Sequence, residues 1–144
     1  MKEQEILEYF EQRFGISKKV FEGFRLYSDQ KGRVLLGPNR PAADDIAVSI
    51  GIQIAKIMHD MKPSTNFLQL FGKHVKKNFV PLKREQAQAY IRGEDVALNA
   101  VPPGTEDGYV LVKYLEFSLG CGFLKGKELR NVLPKERRMK AEFL

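Results

Sequence analysis

The residues of this 144-residue chain best suited to chemistry are cations, and they gather near its end. Lys125, Lys127, Arg130, Lys135, Arg137, Arg138 and Lys140 crowd one stretch. With Lys113 included, residues 113–144 hold 8 Lys or Arg against 4 Asp or Glu. A cluster of this kind suits a polyanion, because each phosphate it neutralises releases condensed counterion. Arginine adds a planar fork that can take phosphate oxygens in pairs or lie flat on an unpaired base. A plain solvated surface is the competing reading of the same residues. The whole chain carries a net charge of +6, but the excess is uneven. Residues 1–72 hold 10 Lys or Arg against 9 Asp or Glu, and residues 73–144 hold 14 against 9. Lys73, His74, Lys76, Lys77, Lys83 and Arg84 form a second positive group, with Arg92 beyond it.

Other chemistry finds little support. Cys121 is the single cysteine, so no internal disulfide can form, and no base is apparent near it. Between Gly120 and Gly122 it reads as a small apolar residue of a strand. Those two glycines admit either a kink or the close approach of a ligand to the backbone. Asn131 can read a base edge or cap a turn, and Pro134 fixes a bend that presents Lys135. His59 and His74 do not sit at metal-ligand spacing, and no Ser/His/Asp set or carboxylate pair stands out. The chain is therefore expected not to be an enzyme and to need no cofactor or metal. No apolar run approaches the roughly 20 residues that cross a bilayer. Met1 to Glu5 is acidic and unlike a signal peptide, which makes a cytoplasmic location the expectation.

Several elements must position these groups. Ile6, Leu7, Tyr9, Phe10 and Phe14 recur at helical spacing and predict an amphipathic helix over 2–14, stopped at Gly15. Residues 24–27 and 33–36 read as strands joined through 28–32, with Pro38 and Pro41 marking a turn after them. Residues 46–58 carry partly alternating β-branched side chains and read as a bent strand, a buried helix being the competing reading. Ser64 is a candidate N-cap for a helix reaching about Lys76, with Phe67, Leu68, Leu70, Phe71 and Val75 on its buried face. A short helix over 82–92 should turn Ala87, Tyr90 and Ile91 inward and stop at Gly93. Strands are expected over 96–101, ended by Pro102-Pro103-Gly104, over 109–114, and over 119–124 after a tight connection at 115–118. Tyr109, Tyr114, Phe117 and Phe123 are expected in the core, with an exposed ring that stacks a base as the competing reading. A helix followed by short strands suggests a small barrel with a helix across one opening.

The run Asp107-Gly108-Tyr109-Val110-Leu111-Val112-Lys113-Tyr114, then Leu119-Gly120-Cys121-Gly122, Leu129-Arg130-Asn131 and Leu133-Pro134-Lys135 with Arg137-Arg138, resembles a known family. It is similar to the PUA-like RNA-binding domain at the C-terminus of RNA cytosine-5 methyltransferases. Tyr90-Ile91-Arg92-Gly93-Glu94 fits the same pattern. Gly51-Ile52 to Pro63-Ser64 is similar to the stretch that precedes that domain in those enzymes. The resemblance covers roughly residues 50–144 and is most specific over 107–138. This chain departs from the family in carrying Cys121 where a bulky residue often stands and Phe123 where a lysine is common. The methyltransferase domain and its catalytic cysteine motifs do not occur in these 144 residues.

Together these readings imply an α+β fold: a small N-terminal α/β unit over 1–75, then a PUA-like β-barrel over 76–144. The expected partner is structured RNA, ribosomal or transfer, bound in support of RNA modification or ribosome biogenesis. The expected contacts are Lys113, Lys125, Lys127, Arg130, Asn131, Lys135, Arg137, Arg138, Arg84, Arg92, Gly120 and Gly122. A protein-interaction module serving a separate RNA methyltransferase is the alternative, with that enzyme or a ribosome-assembly protein as partner.

Overall fold

A computed structural model describes residues 2–38 and 51–139. Helix α1 (Glu3–Phe14) opens the chain, with Glu3 and Glu5 in its first turn, where they complement the helix dipole. Gly15 ends it at φ 67°, a left-handed conformation that favours glycine. Ile6, Leu7, Phe10 and Phe14 form the buried stripe that the spacing predicts.

Strands β1 (Phe24–Ser28), β2 (Arg33–Pro38), β3 (Ile52–Ile57) and β4 (Met61–Pro63) form an antiparallel sheet in that order. The predicted hairpin is present, although Pro38 closes β2 rather than sitting in a turn after it. Pro41 and residues 46–50 lie outside the described residues. The part of 46–58 that is described is a strand, not a helix.

Helix α2 (Thr65–Phe71) starts at the predicted cap: the Ser64 hydroxyl accepts from the Phe67 N–H at 3.0 Å. It ends five residues short of the expected Lys76, in a 3₁₀ turn over Gly72–His74. The cause is a competing demand, since the N–H groups of Lys76 and Lys77 donate to the Phe14 carbonyl and pull the chain off the helical path. Leu70 falls on the outer side of this short helix and is 58% exposed, so it does not belong to the buried face.

The second sheet runs β5 (Phe79–Pro81), β7 (Gly108–Tyr114), β8 (Phe117–Lys125), β9 (Glu128–Asn131), β6 (Val96–Ala97). It is antiparallel except for β5 against β7. The sheet curls into a half-barrel, and its terminal strands β5 and β6 do not pair with each other. Helix α3 (Arg84–Ile91) fills the concave side with Ala87, Tyr90 and Ile91, as its pattern predicts. The expected strand over 96–101 stops after Ala97. Leu98 keeps one ladder-like bond to Lys127, and the paired prolines beyond Val101 lack the N–H groups to extend pairing. The connection expected over 115–118 is only the two residues Leu115 and Glu116. Phe117 already pairs with Tyr114, and it is 57% exposed rather than core.

Two apolar cores meet at the β7–β8 hairpin. Val110, Val112 and Leu124 point into the half-barrel with Val80, Tyr90 and Leu129. Leu111 and Cys121 point the other way, into a core built by α1, α2, β2 and β3 around Phe10, Phe14, Phe67 and Ile54. The period-2 alternation of a strand thus gives one hairpin two buried faces. Asn78 joins the halves next to it. It is buried at φ 56°, its side-chain amide donates to the Arg13 carbonyl, and its Oδ1 accepts from the Glu106 N–H at 2.8 Å.

Candidate nucleic-acid interface

The basic tail meets the first sheet in a cleft of 280 Å³. Beyond Leu133, which is anchored in the half-barrel core, Pro134 leads into a 3₁₀ turn over Lys135–Arg137. This turn carries Arg137 back toward α2. There its guanidinium donates to Asn66 Oδ1 and Gln69 Oε1, side chains three residues apart on one helix face. Both acceptors are neutral amides. They orient the fork and leave its charge uncompensated, the state in which an arginine can still answer an anion.

Lys56 and Lys62 line the same cleft. They stand directly opposite each other on β3 and β4, and among the described residues neither has an ion-pair partner. Glu136 is the one carboxylate among the described lining residues, so the cleft holds three cations and one anion. Neither lysine stands among the contacts expected from sequence. Their alternation on a short hairpin far upstream carries no basic cluster, and only the cross-strand register brings them to Arg137.

Gln69 extends this region. Its amide nitrogen donates to the Leu119 carbonyl at 2.8 Å, and its side chain also borders a second groove, of 340 Å³, with Lys73, Lys113 and Phe117. Lys113 lies 5.8 Å from the centre of the Phe79 ring, a cation–π distance. Exposed Leu70 and Phe117 give this groove an apolar rim beside its lysines.

The other expected contacts are dispersed. Arg92 pairs with Glu94 at 2.8 Å and Arg130 with Glu128 at 3.2 Å, both near the surface. Lys125 and Lys127 flank Gly126 at the β8–β9 turn, where the Gly126 N–H donates to Asp107 at 2.9 Å. Arg84 is exposed at the start of α3. Lys135 is exposed in the 3₁₀ turn. The Arg138 side chain lies over Gly93, where a Cβ would come within 2.5 Å of it, and donates to the Leu133 carbonyl at 3.2 Å. Lys140 is outside the described residues.

Three of the expected residues face inward. A Cβ on Gly120 would lie 2.8 Å from the Tyr90 hydroxyl oxygen and 3.0 Å from Leu133, and one on Gly122 would lie 2.6 Å from Leu129. The room these glycines leave is filled by the half-barrel's own core, so their spacing serves packing. Asn131 donates its amide to the Tyr90 and Glu94 carbonyls at 2.6 and 3.0 Å and accepts from the Leu133 N–H at 3.0 Å. Of its two expected roles, it performs the turn-capping one. Burial pushes the Cys121 thiol up to about 12, with Lys62 and Arg13 pulling weakly the other way. A thiol so held is neutral and inert at physiological pH.

Residues 77–139 match the family model described as the methyltransferase RsmF PUA domain. No curated protein matches the chain. Over that segment the half-barrel and its tail thus resemble the PUA-like domain carried by RNA methyltransferases. Among the described residues no helix is long and apolar enough to cross a membrane, and no three metal-ligating side chains come together.

Proposed function

We propose that this chain, whose residues 77–139 match the PUA domain of RNA methyltransferases, is a cytoplasmic protein that binds structured ribosomal or transfer RNA in support of RNA modification or ribosome biogenesis. In this reading residues 76–144 are the RNA-binding domain, and residues 1–75 form an α/β unit packed against it. The observation that carries the reading is Arg137, fixed by two neutral amides with its charge open to the cleft. Recognition is by shape and phosphate, with the cations of the Arg137 cleft and of the neighbouring Lys73 and Lys113 groove meeting the backbone of a folded RNA. Lys113 and Phe117 provide a charged and stackable edge beside it.

A second reading is supported by the exposed Leu70, Leu115 and Phe117, which suit docking to a partner protein such as a separate methyltransferase. Salt separates the two. Phosphate recognition makes log affinity for an RNA stem–loop fall linearly with log salt, by about 0.7 to 0.9 per phosphate contacted. Neutralising Lys135 and Arg137 together should flatten that line by roughly 1 to 2. Fluorescence anisotropy across a salt series measures it, and an RNA affinity that ignores salt would favour the protein-docking reading instead.

A further inference from the structure

We infer that Lys56 and Lys62, together with Arg137, form a clamp for the phosphate backbone of an RNA strand, so that the first sheet contributes to binding as well as the PUA-like domain. The inference rests on the RNA-binding reading above and extends it to residues outside the matched segment.

Register is the starting point. Lys56 and Lys62 are direct partners in an antiparallel pair, flanked by Ala55 with Pro63 and Ile57 with Met61. Opposite residues in such a pair hold their Cβ atoms about 4.5–5.5 Å apart, and like charges there repel. A sheet optimised for its own stability would place a carboxylate or a neutral residue at one of the two positions. Here both lysines line one cleft, and no carboxylate of the described residues pairs with either.

The third cation arrives from the other end of the chain. Arg137 enters the cleft from the tail and is pinned by Asn66 and Gln69, so it cannot swing away to relieve the repulsion. Ser64 and Thr65 also line the cleft, but the Ser64 hydroxyl is spent, donating to Gln53 and accepting from Phe67. With Glu136 the one carboxylate among the described lining residues, the charge left is net cationic: two flexible point charges and one rigid fork against a single anion. That combination suits phosphate, which accepts several donors at once and, in a strand, recurs along the groove. The neighbouring groove with Lys73 and Lys113, joined through Gln69, gives a strand somewhere to continue.

The clamp makes stability and binding move in opposite directions. In the full chain, Lys56→Ala with Lys62→Ala should weaken binding of a labelled RNA stem–loop about tenfold at low salt. It should also reduce the salt slope by about 1 to 2. The same variant should melt no lower than wild type at low salt, because the repulsion is gone, and any gain should fade as salt screens it. Lys56→Arg with Lys62→Arg keeps the charges and should keep the slope, which separates charge loss from local damage. If the alanine variant binds with the wild-type slope while the Lys135 and Arg137 variant does not, the clamp is refuted and RNA binding stands. A wild type with no salt-dependent RNA affinity refutes both. Stabilisation of wild type by inorganic phosphate, with the RNA slope untouched by the alanine substitutions, assigns the cleft to a free anion and overturns the backbone assignment.

Discussion

Cys121 and Asn78 show how single positions are committed to the fold rather than to chemistry. The thiol is buried against α1 and α2, and its pKa rises from an ordinary 9.0 to about 12 because burial disfavours the thiolate. Tyr9 and Tyr90 are shifted upward as well, again chiefly by burial. A group whose folded pKa lies above its unfolded one contributes stability in full below the unfolded value and loses it as pH climbs to the folded value. The urea midpoint should therefore fall as pH rises from about 9 to 12, and Cys121→Ala should lessen the fall; parallel curves for the two proteins would contradict this. Below that window a thiol reagent should label Cys121 only when the protein unfolds. Asn78→Ala removes two hydrogen bonds and leaves an alanine in a left-handed conformation, and it should cost about 2–4 kcal/mol by chemical denaturation.

At the level of elements, the long periodic segments were legible and the short ones were not. The stripe of α1, the Ser64 cap, the hairpin of β1 and β2 and the inward face of α3 all follow from spacing and caps. Strands β4, β5 and β9 leave no sequence signature because three or four residues are too few for alternation to stand out, and β9 lies inside what reads as a basic tail. The same blindness hid half of the candidate cleft. Arg137 was visible as charge, whereas Lys56 and Lys62 matter only through a register that no local pattern specifies. The turn between β7 and β8 carries a further local conflict. Leu115 sits exposed at φ 52°, a conformation that a leucine enters at a cost of roughly 1–2 kcal/mol and that asparagine tolerates far better. Leu115→Asn should raise stability by about 0.5–1 kcal/mol. If that gain comes with unchanged RNA affinity but lost association with a protein partner, the exposed turn serves docking.

For the molecule as a whole, the charge count does not say where the cations gather. The excess of the second half pointed to an anionic partner, yet Arg92 and Arg130 are occupied by Glu94 and Glu128, and the cations that converge come from both halves. The β7–β8 hairpin sets how those halves live together. Because Leu111 and Cys121 look into one interior while Val110 and Val112 look into the other, neither half has a wall of its own to spare. A fragment begun at residue 76 would carry its basic tail intact but present a naked oily flank to water, and it should clump or recruit a substitute neighbour. Evolution could not readily shed the amino-terminal half without first repainting that flank, and anyone dissecting the protein by truncation inherits the same constraint.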